Sequence, residues 1–256
     1  MGKIITLASL KGGVAKTTTT ALLGYGLFHR GFKVLLVDMD SQRNLSKWVN
    51  AKYEDVPTSF EVLTGECTAE DAIQHLECFS IIPGSNLLSK AEIALPLTGK
   101  LKRLKRALKD VKDKFDYVVI DTGPNLGITT INALIAADEV IVPSIAAAFS
   151  IEGFLDLYSL ISDIRLDDNP DLEIKGVLIT MYTPRTNIAN RLATTIEEIN
   201  EKYGVRTFES RIRASVSVLE SQTFRFDIFD VLPNNIVTTD FNQFLDEYLK
   251  GGDNRE

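Results

Sequence analysis

Residues 8–20, ASLKGGVAKTTTT, constrain this chain more than any other stretch. An apolar, β-branched run, KIITLAS (3–9), leads into them. After them Ala21, Leu22, Tyr25 and Phe28 recur at helical spacing, up to Gly31. The order predicts a buried strand, a glycine-rich turn and a helix. A P-loop works in that setting. Its glycines let the backbone approach phosphates, its peptide N–H groups face them, and the positive helix end adds attraction. Lys16 can reach the β- and γ-phosphates, and the Thr17 hydroxyl can ligate Mg²⁺. An ordinary helix-capping turn would need neither.

The spacing departs from G-x-x-x-x-G-K-[ST]. Leu10 and Ala15 stand where the two glycines would be, and the stretch fits K-G-G-x-x-K-[ST] instead. Ala15 is tolerated if its backbone is near-helical, because alanine is a good helix former. A positive φ would strain it. Lys11, just before Gly12, is a second lysine with no role in a single P-loop.

The rest of the chain repeats one theme. Strands are expected at 33–38, 78–82, 116–121, 139–142 and 174–181. Helices are expected at 58–75, 86–114, 127–137, 150–165 and 187–203, and 165–173 reads as a surface loop. Apolar strands without alternation predict an α/β fold with a mostly parallel, twisted sheet covered by helices on both faces. With 256 residues, 45% of them hydrophobic, a single domain over 1–256 with a full core is expected. Ligands of such sheets bind at the carboxyl ends of the strands. Lys16, Asp38, Asp40 and Asp121 fall at or just beyond such ends. Asp38 and Asp40 flank Met39, so in an extended segment both face the same way.

These features together resemble the ParA/Soj-type partition ATPases, in the wider family that includes MinD and the nitrogenase iron protein. The deviant Walker A stretch carries the likeness first. VLLVDMDSQRNLS (34–46) resembles the D-x-D-P-Q run, with Ser41 in place of proline. FDYVVIDTGPNLG (115–127) resembles the Walker B strand and turn, with Gly123 where proline is common. VIVPSIAAAFSIEG (140–153) and GVLITMYTPRTN (176–187) resemble later strands and loops. The likeness fades from about residue 205.

The resemblance implies ATP and Mg²⁺ as cofactors, held by Lys11, Gly12, Gly13, Val14, Ala15, Lys16, Thr17 and Thr18. It implies Thr17 and Asp38 on the metal side, Asp121 in the outer shell of Mg²⁺ or on the attacking water, and Asp40 orienting or activating that water. Lys11 would cross the interface of an ATP-bound homodimer and touch the partner's nucleotide. The adenine would sit near Met181 and Arg211. The cysteines, Cys67 and Cys78, do not offer the cluster ligands of the nitrogenase iron protein.

Further expectations concern partners. A net charge of −7 argues against general polyanion affinity, but a local patch can still bind duplex DNA. One candidate is the basic run 100–114, with Leu101, Leu104, Leu108 and Val111 as its buried stripe and Lys102 and Arg103 on other faces. The other contains Arg206 and Arg213, where the resemblance implies non-specific DNA contact, best at Arg206. The resemblance also implies a ParB-like partner that stimulates hydrolysis. No membrane span, signal peptide or basic amphipathic end is evident, so a cytoplasmic, nucleoid-associated protein is expected. The alternative is a same-fold ATPase that positions a protein or membrane-associated cargo without DNA.

Overall fold

A computed structural model of the chain describes residues 2–145, 151–183, 196 and 198–250. One sheet organises them, in the order β3-β4-β2-β5-β1-β6-β7-β8. Its strands are β1 (Lys3–Leu7), β2 (Val34–Met39), β3 (Gln74–His75), β4 (Ser80–Ile82), β5 (Tyr117–Thr122), β6 (Glu139–Ile145), β7 (Glu173–Tyr182) and β8 (Thr207–Arg213). All pairings are parallel except β3 with β4. The expected α/β fold is therefore the observed one.

Buried strands present apolar side chains to both faces. On one face Ile4, Leu35, Val37, Val118 and Ile120 pack beneath α7 (Ile128–Ala136) and α8 (Ile151–Asp167). On the other, Ile5, Leu7, Leu36 and Val119 pack against α1 (Lys16–Phe28), α2 (Asn44–Trp48) and the C-terminal helix. Helix α1 buries nearly every side, and a positive φ of 86° at Gly31 follows its end.

Two expected helices are broken. The segment 58–75 divides into α3 (Ser59–Thr64) and α4 (Ala69–Ala72). Gly65 ends α3 with φ 84°, and Thr68 starts α4 with a capping box on Asp71. The segment 86–114 divides into short turns, α5 (Ala91–Ala94) and α6 (Arg103–Leu108). Pro96 forces extended backbone at Leu95, and Gly99 has φ 67°. Leu104, Leu108 and Val111 are buried as expected, but Leu101 is exposed. The expected helix 187–203 lies partly outside the described residues; 198–203 is helical.

Beyond the expected elements come β8, α9 (Val216–Phe224) and α10 (Ile228–Val231), and the amphipathic stretch from residue 240 lies in α11 (Ile236–Lys250). Helix α11 buries Phe241, Phe244, Leu245 and Tyr248. Phe208 of β8 meets Phe244 edge-on at 5.0 Å. Strand β8 is a sheet edge, and α11 blunts it. The N–H groups of Glu209 and Ser210 each donate to the Glu247 carboxylate at 2.9 Å. That satisfies backbone donors which would otherwise invite another strand. Among the described residues no helix is long and apolar enough to cross a membrane.

Candidate nucleotide and metal site

Register builds the site. Leu7, Asp121 and Asp38 stand in one row across β1, β5 and β2. The loop after β1 therefore rises directly beside two carboxylates. In that loop Gly13 has φ 72° and Ala15 has φ 61°. Repeated left-handed residues curl a backbone into the concavity that binds anions. Val14 is buried, and its carbonyl accepts the Thr180 hydroxyl of β7 at 3.0 Å. No side chain caps α1, so its first-turn N–H groups belong to a helix end suited to phosphate.

The condition under which Ala15 would be strained is met: its backbone is left-handed. An L-residue with a Cβ pays about 1–2 kcal/mol there. Ala15→Gly should raise the free energy of unfolding by about 1 kcal/mol, part of the gain being offset by the freer unfolded glycine. Urea denaturation checks this, and a less stable variant would contradict it.

Lys16 is buried, and its ammonium donates to the Ser9 carbonyl at 3.1 Å and the Lys11 carbonyl at 3.4 Å. Burial pushes its pKa down, while Asp121 and Asp40 pull it back up. The Thr17 hydroxyl donates to Asp121 at 2.7 Å, and Thr20, one turn on, reaches the other oxygen at 3.3 Å. Sequence reasoning missed Thr20, although three-residue spacing places it on the face of Thr17.

Asp38 and Asp121 are fully buried and Asp40 nearly so. Burial pushes Asp121 well above the usual carboxylate range, and the neighbouring Asp38 charge adds to this. Asp38 is also raised by burial, against hydrogen bonds from Ser46 that favour its charged form. Asp40 accepts the Gln42 N–H at 3.0 Å and faces Gly123, where an added Cβ would lie 3.4 Å from its Oδ1. Beside it opens a 420 Å³ cavity between residues 39–42, the 88–92 turn and the loop after β5.

This donor set suits a hard divalent cation. Carboxylates crowded around one ammonium are short of positive charge, and hydroxyl and carboxylate oxygens are what Mg²⁺ prefers. Among the described residues no group of three or more His, Cys, Asp or Glu side chains forms a self-sufficient metal cage. Mg²⁺ sites of the phosphate-binding kind need only one or two protein oxygens plus the phosphates.

A second cavity, 430 Å³, opens on the other side of α1 between Ala15, Thr18, Met181, Arg213 and the start of α9. It fits a nucleotide base. Met181 lines it, with φ 49°. Arg211 does not: its guanidinium lies 5.0 Å over the Tyr182 ring, and residues 212–216 form that wall instead.

The basic candidates separate. Lys102 pairs with Asp168 at 2.9 Å. Arg103 turns inward and donates to the Thr64 carbonyl at 3.0 Å, closing the end of α3. Lys102 keeps a partly exposed side chain off the buried stripe, whereas Arg103 is drawn onto the end of α3. Arg213 is held by Asp240 through Nε at 2.8 Å and Nη2 at 2.5 Å. Arg206 is exposed, stacked 4.6 Å over Phe208 with Nε on the Lys175 carbonyl. Lys11 lies on the exposed side of the loop.

Comparison with known proteins agrees with this geometry. The sequence profile of the AAA domain family matches residues 2–174. The sporulation initiation inhibitor protein Soj of Bacillus subtilis is 37% identical over 225 residues, covering 86% of this chain and 88% of Soj. The chromosome partitioning protein ParA of Myxococcus xanthus is 32% identical over 228 residues, covering 88% of this chain and 80% of that ParA. The chain belongs to the Soj/ParA family. Solved structures share its fold over nearly the whole length. Cobyrinic acid a,c-diamide synthase from Mycobacterium smegmatis, with bound ATP analog and magnesium, superposes with a TM-score of 0.86 at 29% identity, covering 100% of this chain and 97% of that one. A putative plasmid partition protein from Borrelia burgdorferi bound to AMPPNP gives 0.82 at 26% identity, covering 98% and 100%. The shared fold thus extends past residue 174, where the profile match ends, to β8 and α11.

Proposed function

We propose that this member of the Soj/ParA family is an ATP-operated switch that partitions DNA, acting as one domain over 1–256. The observation that carries the reading is the row Leu7–Asp121–Asp38, which brings two buried carboxylates beside Lys16 and Thr17. In this reading residues 11–18 wrap the phosphates, with Lys16 on the β/γ pair. Thr17 would hold Mg²⁺, supported by Asp121 and Asp38. The metal would screen the phosphate charge that these aspartates otherwise repel. Met181 and residues 212–216 would flank the adenine.

Asp40 then orients the attacking water from the edge of the 420 Å³ cavity. Phosphoryl transfer depends mostly on positioning and electrostatics, so one well-placed carboxylate suffices. Lys11 would reach the nucleotide of a second copy, making closure of a homodimer depend on ATP. The closed dimer would hold duplex DNA without sequence preference, with Arg206 as the principal contact. Arg213 is a weaker candidate, because leaving Asp240 would strand a buried carboxylate. A ParB-like protein would stimulate hydrolysis and release, and the chain would reside with the nucleoid in the cytoplasm.

The test is Lys11→Ala. We expect it to bind nucleotide as a monomer but not to dimerise with a non-hydrolysable ATP analogue on size-exclusion chromatography. A variant that dimerises like the wild type would remove Lys11 from the switch.

A further inference from the structure

Asp40 needs a fixed direction if it is to aim a water, and among the described residues its carboxylate is hydrogen-bonded by the Gln42 N–H alone. Its backbone is fixed from behind. The Asp40 N–H donates to Asp38 Oδ1 at 3.1 Å. The other Asp38 oxygen, Oδ2, accepts both the N–H of Ser46 at 3.0 Å and its hydroxyl at 2.7 Å. Asp38 therefore staples both ends of the 40–46 loop. The same Ser46 oxygen accepts the Gly84 N–H at 2.9 Å, from the turn after β4. That turn leads directly into Leu88, Ser89 and Glu92, which face residues 39–42 across the cavity beside Asp40.

Packing fits this relay. Ser46 is fully buried, as is Asp38. Gly84 lies against the carboxylate: a Cβ there would come within 2.8 Å of Asp38 Cγ. Ser59 closes the same corner, its hydroxyl donating to the Asp38 carbonyl at 2.7 Å. A buried hydroxyl that donates once and accepts once fixes two segments at hydrogen-bond tolerance, which apolar packing alone does not.

We propose that Ser46 is the positioning residue for hydrolysis: by joining Asp38 to Gly84 it fixes the 40–46 loop against the 84–92 turn and so sets where Asp40 stands. The proposal rests on the ATPase reading above and adds a residue to it. Ser46 touches neither nucleotide nor water; it acts through Asp38 and the Asp40 backbone. Its removal should leave the phosphate loop intact, since none of its bonds reaches residues 11–18. It should loosen the wall that faces the attacking water, and misplacement of a reacting group by about 1 Å costs about 10²-fold in rate.

The experiment compares wild type, Ser46→Ala and Gly84→Ala. Gly84→Ala attacks the relay from its far end by crowding Asp38. ATP turnover, ATP affinity by titration, and amide exchange at Asp40 and Gly84 are measured on each folded protein. We expect turnover to fall about 10- to 100-fold in both variants, with affinity within about twofold in Ser46→Ala, whereas Gly84→Ala, by pressing on Asp38, also weakens Mg²⁺-dependent affinity. Exchange at the Gly84 and Asp40 amides should quicken in Ser46→Ala. Turnover within twofold of wild type in Ser46→Ala would overturn the proposal and leave the ATPase reading standing. Affinity and turnover falling together in Ser46→Ala would also overturn it, by making Ser46 a general packing residue. A wild type that turns over no ATP would sink the ATPase reading itself, and the proposal with it.

Discussion

Lys16→Ala is expected to lose nucleotide binding. Lys16 is the ammonium held over the loop by the Ser9 and Lys11 carbonyls, buried beside Asp121 and Asp40. A triphosphate entering the loop would exchange those neutral carbonyls for charged oxygens. Each charge-assisted hydrogen bond contributes about 1.5–3 kcal/mol. Contact with two phosphates therefore predicts a loss of about 10²–10⁴ in affinity. The deletion also leaves the carboxylates without their near cation, so a bound anion meets net repulsion. Calorimetric titration with ATP and Mg²⁺ checks this. Undiminished affinity would mean that the loop is a structural turn.

Asp40→Ala is expected to act on the other side of the cycle. Asp40 stands at the mouth of the 420 Å³ cavity, and its carboxylate accepts the Gln42 N–H. A group that orients water in the transition state contributes little to ground-state binding. The variant should bind ATP, dimerise and hold DNA, yet turn over about 10²–10⁴ times more slowly. It should stay closed. Asp38→Ala should differ, because it removes the staple on Asp40 and Ser46 and the support of the metal side together. Hydrolysis and DNA retention measured side by side separate the two. An Asp40→Ala protein with wild-type turnover would leave Asp121 as the carboxylate to test.

The central architecture was legible because local signals and global topology agree there. Apolar β-branched runs named the strands β1, β2, β5, β6 and β7, and the glycines and lysine named the loop. Legibility failed where a signal was brief or tertiary. Segments 58–75 and 86–114 carry helical periodicity, but Gly65, Pro96 and Gly99 outweigh it. The capping box at Thr68 and Asp71 was in the sequence, and it starts a new helix rather than continuing one. Strand β8 reads as polar because its edge is finished by Glu247, a residue remote in sequence. Arg103 and Arg213 look like surface cations until Thr64 and Asp240 are placed beside them. Ser46 has no periodic relation to Asp38, so only the folded chain joins them. Ala15 could be read either way, and the dihedral angle decided it.

A partition switch requires that nucleotide state govern DNA binding. A gel-shift with an unrelated duplex tests it most directly, run with ATP and Mg²⁺, with ADP, and without nucleotide, at low and high salt. Each phosphate contact would release counterions, so binding should weaken steeply between about 50 and 200 mM salt. A shift is expected with ATP alone, lost at high salt and weakened in Arg206→Glu, whose ATP affinity is unchanged. A wild-type protein that leaves the duplex unshifted with ATP at low salt, or shifts it equally with ADP, would rule out nucleotide-gated DNA binding and favour a switch whose cargo is not DNA.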